Sequence, residues 1–118
     1  MARILVDSDI LVDHLRGHRR LVVATADDAY VSVITRAELF SGHGSEERRV
    51  RRLLEPMTTV AVDEAIAERA ARLRRLSSLR LPDALIAATA LHHRLTLVTR
   101  NVRDFEGIRG LRLRPPAA

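Results

Sequence analysis

The chain has no cysteine, which removes disulfides, thiolate metal sites and cysteine nucleophiles together and is compatible with a reducing compartment. It has no lysine either: all 20 basic residues are arginines, set against 15 acids for a formal net charge of +5. Aromatic side chains make up 3% of the chain and are confined to Tyr30, Phe40 and Phe105, so there is no aromatic platform on which single-stranded bases can stack. Any contact with nucleic acid has to run through phosphates. No run approaches the roughly 18 apolar residues of a membrane span, and the chain is expected to be soluble and cytoplasmic, with no membrane partner. At 118 residues one domain spanning 1–118 is expected, able to bury about two thirds of its unfolded surface without a covalent staple.

The arginine excess favours a polyanion or an acidic partner, because guanidinium recognises phosphate and carboxylate in a planar, bidentate way. A base composition rich in Arg codons accounts for the missing lysine equally well, so charge alone does not assign a function.

Short Val- and Ile-rich runs alternate with longer stretches of helical period, the pattern of βα units around a parallel sheet. Strands are predicted at 3–7 (RILVD), 29–33 (AYVSV), 58–62 (TTVAV) and 95–98 (LTLV), with a weak edge strand near 111–113. Ser45 precedes EERRVRRLLEP, an amphipathic surface helix with Val50, Leu53 and Leu54 on one stripe and Glu47 four residues before Arg51. Asp63 caps DEAIAERAARLRRL, with Ile66, Ala70 and Leu73 inward and Arg69, Arg72 and Arg75 outward. Pro82 opens PDALIAATALHHR, apolar on nearly all sides and therefore buried between neighbours.

The acids fall where an apolar strand has just ended or a helix begins: Asp7 after RILV, Glu38 in VITRAEL, Asp83 in LPDALI and Asp104 in VTRNVRDF. Each has a local explanation. Asp7 or Ser8 can cap the first helix, Thr35 with Glu38 fits a capping box, Asp83 suits the positive end of a helix dipole, and Asn101 with Asp104 fits a cap. As a set they say more, because strand ends in a parallel α/β sheet gather at one rim. Several carboxylates in one cleft cannot all ionise at neutral pH unless cations neutralise them. Oxygen donors without thiolate favour Mg²⁺ or Mn²⁺, and such an ion beside a phosphodiester supports its hydrolysis. Arg36, Arg100 and Arg103 lie in the same strand-end segments as candidate phosphate contacts, while Ser8, Thr99 and Asn101 offer neutral groups for a supporting role. Asp13, four residues after Asp9, is expected on the solvent side of the first helix. The five histidines present no convincing H-x-x-x-H pair, which argues against zinc.

The stretches ILVDSDIL, SVITRAELFSG, LPDALIAATAL and LTLVTRNVRDFEGIRGLRL occur in this order and cover most of the chain. Together they resemble the PIN domain and, within it, the VapC-type ribonuclease toxins of bacterial toxin-antitoxin pairs. The resemblance implies a three-layer α/β/α sandwich around a parallel sheet of four to five strands, Mg²⁺ or Mn²⁺ dependence, endonucleolytic RNA cleavage, a homodimer, and inhibition by a VapB-type antitoxin. It assigns metal-binding and catalytic roles to Asp7, Glu38 and Asp83. Asp104 is the fourth acid, with Asn101 in support, since only Asp104 of the two is charged. Asp9 departs from the Asn or Ser usual in the family and either adds charge to the cleft or turns outward. The link RRLSSLRLP is shorter than the family leads one to expect. An antitoxin groove is expected among the helices bearing Leu39, Phe40, Val50 and Leu54.

Two other classes compete. A haloacid dehalogenase-like phosphatase also begins with a strand followed by D-x-D, but no Gly-Thr follows Asp9, lysine is absent, and the length leaves no cap domain. A non-catalytic basic module that binds RNA or protein would use the acids only as caps.

Overall fold

A computed structural model describes residues 2–17, 28–42 and 47–116. Five strands, β1 (Arg3–Val6), β2 (Asp28–Ser32), β3 (Thr58–Val60), β4 (Thr96–Val98) and β5 (Leu113–Arg114), lie in the order β3-β2-β1-β4-β5. All four pairings are parallel. Among the described residues six helices connect them: α1 (Ser8–Leu15), α2 (Val33–Phe40), α3 (Glu47–Leu54), α4 (Glu64–Leu76), α5 (Leu81–His93) and α6 (Val102–Phe105).

Alternation along the strands builds the three layers. Leu5 and Leu97, opposite one another across β1 and β4, pack with Ile66 and Ala70 of α4 and the alanine-rich face of α5. Their neighbours Ile4, Val6 and Val98 point the other way, onto Ile10 and Leu11 of α1, Leu39 of α2, and Val50 and Leu54 of α3. A side-chain period of two on each strand therefore feeds two separate cores. The small side chains of α5 (Ala84, Ala87, Ala88, Ala90), all fully buried, give this helix little bulk against its neighbours.

The expected caps hold in part. Asp63 Oδ1 accepts from the Ile66 N–H at 2.9 Å and Asp7 caps α1 through the Ser8 N–H at 2.8 Å. The capping box at Thr35 and Glu38 is not formed. Helix α2 starts earlier, capped by Ser32, whose hydroxyl accepts from the Ile34 N–H at 3.1 Å; Thr35 sits fully buried in the first turn with its hydroxyl unpartnered. Asn101 occupies the N-cap of α6 without a side-chain cap bond, because its amide is engaged elsewhere. The short link after α4 closes on Ser77, whose hydroxyl donates to the Leu73 carbonyl at 2.7 Å and accepts from the Leu79 N–H at 3.3 Å. Ser45 lies outside the described residues. No helix of the described residues is long and apolar enough to cross a membrane.

Candidate active site

The chain runs from β1 outward to β2 and β3, then returns to the other side of β1 for β4 and β5. The order reverses between β1 and β4, and in open parallel sheets the crevice beyond the strand ends at such a reversal is where ligands bind. Asp7 stands at this point. Its backbone N–H donates to the Val98 carbonyl at 3.0 Å, and its side chain is 3% exposed.

Asp7 Oδ2 accepts from the Thr99 hydroxyl at 2.8 Å, and Oδ1 is held by the Ser8 N–H. Even so, burial pushes its carboxyl up to about 6, reinforced by repulsion from Asp9 and Asp83. Burial raises Asp83 too, with Asp104 and Asp9 adding repulsion and Arg80 opposing it. Glu38 is raised by burial and by Asp83, against a hydrogen bond with the Ser8 side chain. Asp9 is raised chiefly by burial, partly offset by the Ile10 and Arg100 backbone N–H groups and by the charge of Arg100. Five carboxylates from α1, α2, α5, α6 and the end of β1 thus sense one another across a single rim. Of the three acids set apart in the sequence, Asp83 lies within electrostatic reach of both Asp7 and Glu38.

Asp9 turns inward. Its Oδ2 accepts from the Arg100 N–H and from Asn101 Nδ2, each at 3.3 Å, while Oδ1 is buried without a partner. Among the described residues no three His, Asp or Glu side chains are gathered closely enough to hold a metal ion together. The donor set nevertheless suits a hard divalent ion, which binds through one or two carboxylates and retains several waters: the oxygens are anionic, mutually repelling, and include the unpaired Oδ1 of Asp9.

A family model for the PIN domain matches residues 4–111. The chain belongs to the PIN domain family. Ribonuclease VapC10 of Mycobacterium tuberculosis (strain ATCC 25618 / H37Rv) is 40% identical over 126 residues, covering 98% of this chain and 93% of that protein. A toxin-antitoxin complex from Klebsiella pneumoniae has a chain 39% identical to this PIN domain, with a TM-score of 0.79 and coverage of 92% and 94%. The fold is also that of DNA-bound VapBC from Salmonella typhimurium, TM-score 0.81 at 21% identity over 98% of both chains.

Within this PIN domain the candidate phosphate contacts separate. Arg103 is exposed on α6. Arg36 donates from Nη1 to the Thr59 hydroxyl at 3.1 Å and lies over the Phe40 ring, 5.5 Å from its centroid. Arg100, expected at phosphate, instead forms an ion pair with Asp13, and both side chains are largely enclosed. Asp13 is thus not a solvent-facing residue, contrary to its sequence reading. A helix-period argument places it on the same face as Asp9, one turn on, and that spacing was the available signal. Arg80, close enough to Asp83 to oppose its shift, was also missed. Of the residues that mark the helices of the expected antitoxin groove, Leu39, Val50 and Leu54 are at most 3% exposed and packed in the core, and Phe40 is flanked by Arg36 and Arg51.

Proposed function

We propose that this chain is a metal-dependent endoribonuclease that hydrolyses RNA phosphodiester bonds and serves as the toxin of a VapBC-type pair, neutralised by a VapB-type antitoxin and acting as a homodimer. The observation that carries this reading is that Asp83, at the start of α5, lies within electrostatic reach of Asp7, Glu38 and Asp104 beside the reversal between β1 and β4. The likeness to ribonuclease VapC10 and to the chain of the Klebsiella toxin-antitoxin complex supplies the substrate class and the partner.

Asp7 and Asp83, with Glu38 and Asp104 flanking them, would hold Mg²⁺ or Mn²⁺. A bound divalent ion supplies Lewis-acid activation of the phosphoryl group and of a water. The chain's own residues set the geometry. Thr99 holds Asp7 by its hydroxyl, the Ser8 N–H fixes the other Asp7 oxygen, and the Ser8 side chain orients Glu38. Asp9 and Asn101 brace the loop beneath. Arg103, exposed and next to Asp104 in the chain, would meet a flanking phosphate that the acids alone would repel.

The test is digestion of total RNA by wild type and Asp83→Asn, with and without Mg²⁺, reading new ends by sequencing. Wild type with Mg²⁺ is expected to generate discrete new ends, and Asp83→Asn to lose at least about 100-fold in rate. RNA bound equally by both proteins, with no new ends, would leave the basic binding module as the function.

A further inference from the structure

We infer that Asp13 and Arg100 are positioning residues: a half-buried strut that, together with Asp9, seats the turn between β4 and α6 on helix α1 and so sets where Asp7 and Asp104 stand. Its kinetic consequence rests on the ribonuclease reading above; its structural consequence does not.

Asp9 and Asp13 lie four positions apart on α1, and such residues share a helix face. That face grips residue 100 twice. Asp9 Oδ2 takes the Arg100 backbone N–H at 3.3 Å, and Asp13 takes its guanidinium, with side-chain exposures of 21% and 25% for Arg100 and Asp13. An ion pair this enclosed is not a surface pair of negligible worth, because removing one member leaves the other charge desolvated and unpaired. Arg100 Nε and Asp9 Oδ1 are both buried without a partner. Unpaired polar atoms of this kind are rare in folded proteins and call for an explanation; here they border the turn that the strut holds.

What the turn carries gives the strut its purpose. On one side of Arg100, the Thr99 hydroxyl donates to Asp7 Oδ2 at 2.8 Å. On the other, the Asn101 N–H donates to Thr99 Oγ1 at 3.1 Å, and the Asn101 carbonyl accepts the Asp104 N–H at 3.0 Å to open α6. The orientation of Asp7 and the start of the helix bearing Asp104 are therefore both referred to α1 through three consecutive residues. A shift of about 1 Å in such a constellation is enough to cost about 100-fold in rate. An arginine committed to Asp13 in this way serves the site from beneath and does not reach for phosphate.

The experiment compares full-length Asp13→Asn, Arg100→Met and their double variant with wild type. It reads kcat and KM on an RNA oligomer over a range of salt, and amide hydrogen exchange of residues 99–105. Each single variant is expected to lose about 10-fold or more in kcat with KM within about 2-fold, to exchange faster at 99–105, and to be matched by the double variant, since either change removes the whole pair. Should a neutral variant not fold, Asp13→Glu decides by the same readouts, and unchanged kcat and exchange there overturn the strut. The strut is also overturned if Arg100→Met raises KM and flattens the log–log salt dependence by about 0.7, the amount expected for one lost single-strand phosphate, while Asp13→Asn keeps its kcat. If wild type cleaves no RNA, the ribonuclease reading fails alone, and exchange at 99–105 settles the strut: unaltered protection in both single variants refutes it.

Discussion

Asp7 is a carboxyl enclosed by the core that has to ionise if it is to hold a cation, and its energetics follow. Burial and two neighbouring acids raise it from 3.8 to about 6. A group that binds its proton more tightly in the folded chain than in the unfolded one stabilises the fold at low pH. That contribution is present in full below about 3.8, is lost as pH rises to about 6, and is absent above. At about 1.4 kcal/mol per unit, ionised Asp7 opposes folding by about 3 kcal/mol at neutral pH. Asp7→Asn should therefore unfold at higher denaturant in EDTA at pH 7.5, by about 2–3 kcal/mol, with the gain vanishing toward pH 4. Equal stability of the two proteins at pH 7.5 would contradict the burial cost. Asp7, Glu38 and Asp83 were legible in the sequence because a strand end or helix start is a local pattern. Asp13 and Arg100 were not, since nothing local to either says that they touch.

Helix α5 shows what an element-scale pattern conveys. Its run of alanines and its apolar surround foretold burial, and six of its residues are buried. Its end was less obvious: Arg94 takes the left-handed conformation with φ 55°. The Leu95 N–H returns to the Ala90 carbonyl at 2.8 Å, a closure that glycine usually provides. A side chain in this conformation costs about 1 kcal/mol, partly offset by the lower backbone freedom of a non-glycine residue when unfolded. Arg94→Gly is therefore expected to raise the melting temperature by a few degrees, about 0.5–1 kcal/mol, without altering RNA cleavage; a lowered melting temperature would refute it. The start of α2 misled because T-x-x-E is a valid cap pattern wherever it occurs, while Ser32, at the end of β2, reached the helix first. The stripe of Val50 and Leu54 was read correctly as apolar, but periodicity does not say what covers a stripe, and here it is the sheet.

At the scale of the molecule, the acid rim is a charge problem that protonation or a bound cation relieves. Anything that binds the folded chain and not the unfolded one stabilises it by mass action, about 2.7 kcal/mol at 100 times Kd. Wild type should melt progressively higher as Mn²⁺ is added at pH 7.5, and Asp83→Asn should respond far less. The wild-type response should shrink as pH falls through about 6, where Asp7 takes up a proton. An identical Mn²⁺ shift in both proteins would place the ion elsewhere.

From the sequence alone came the kinds of element, the approximate spans of the five strands among the described residues and the membership in the PIN family, because each depends on residues within a few positions of one another or on residue type. The tertiary structure decided the rest. The order β3-β2-β1-β4-β5 brings the ends of β1 and β4 together, turns Asp9 inward onto Arg100 and Asn101, and commits Arg100 to Asp13. These outcomes depend on which distant segments share a surface, and burial then sets how strongly their charges are felt, a quantity that no single stretch of chain contains.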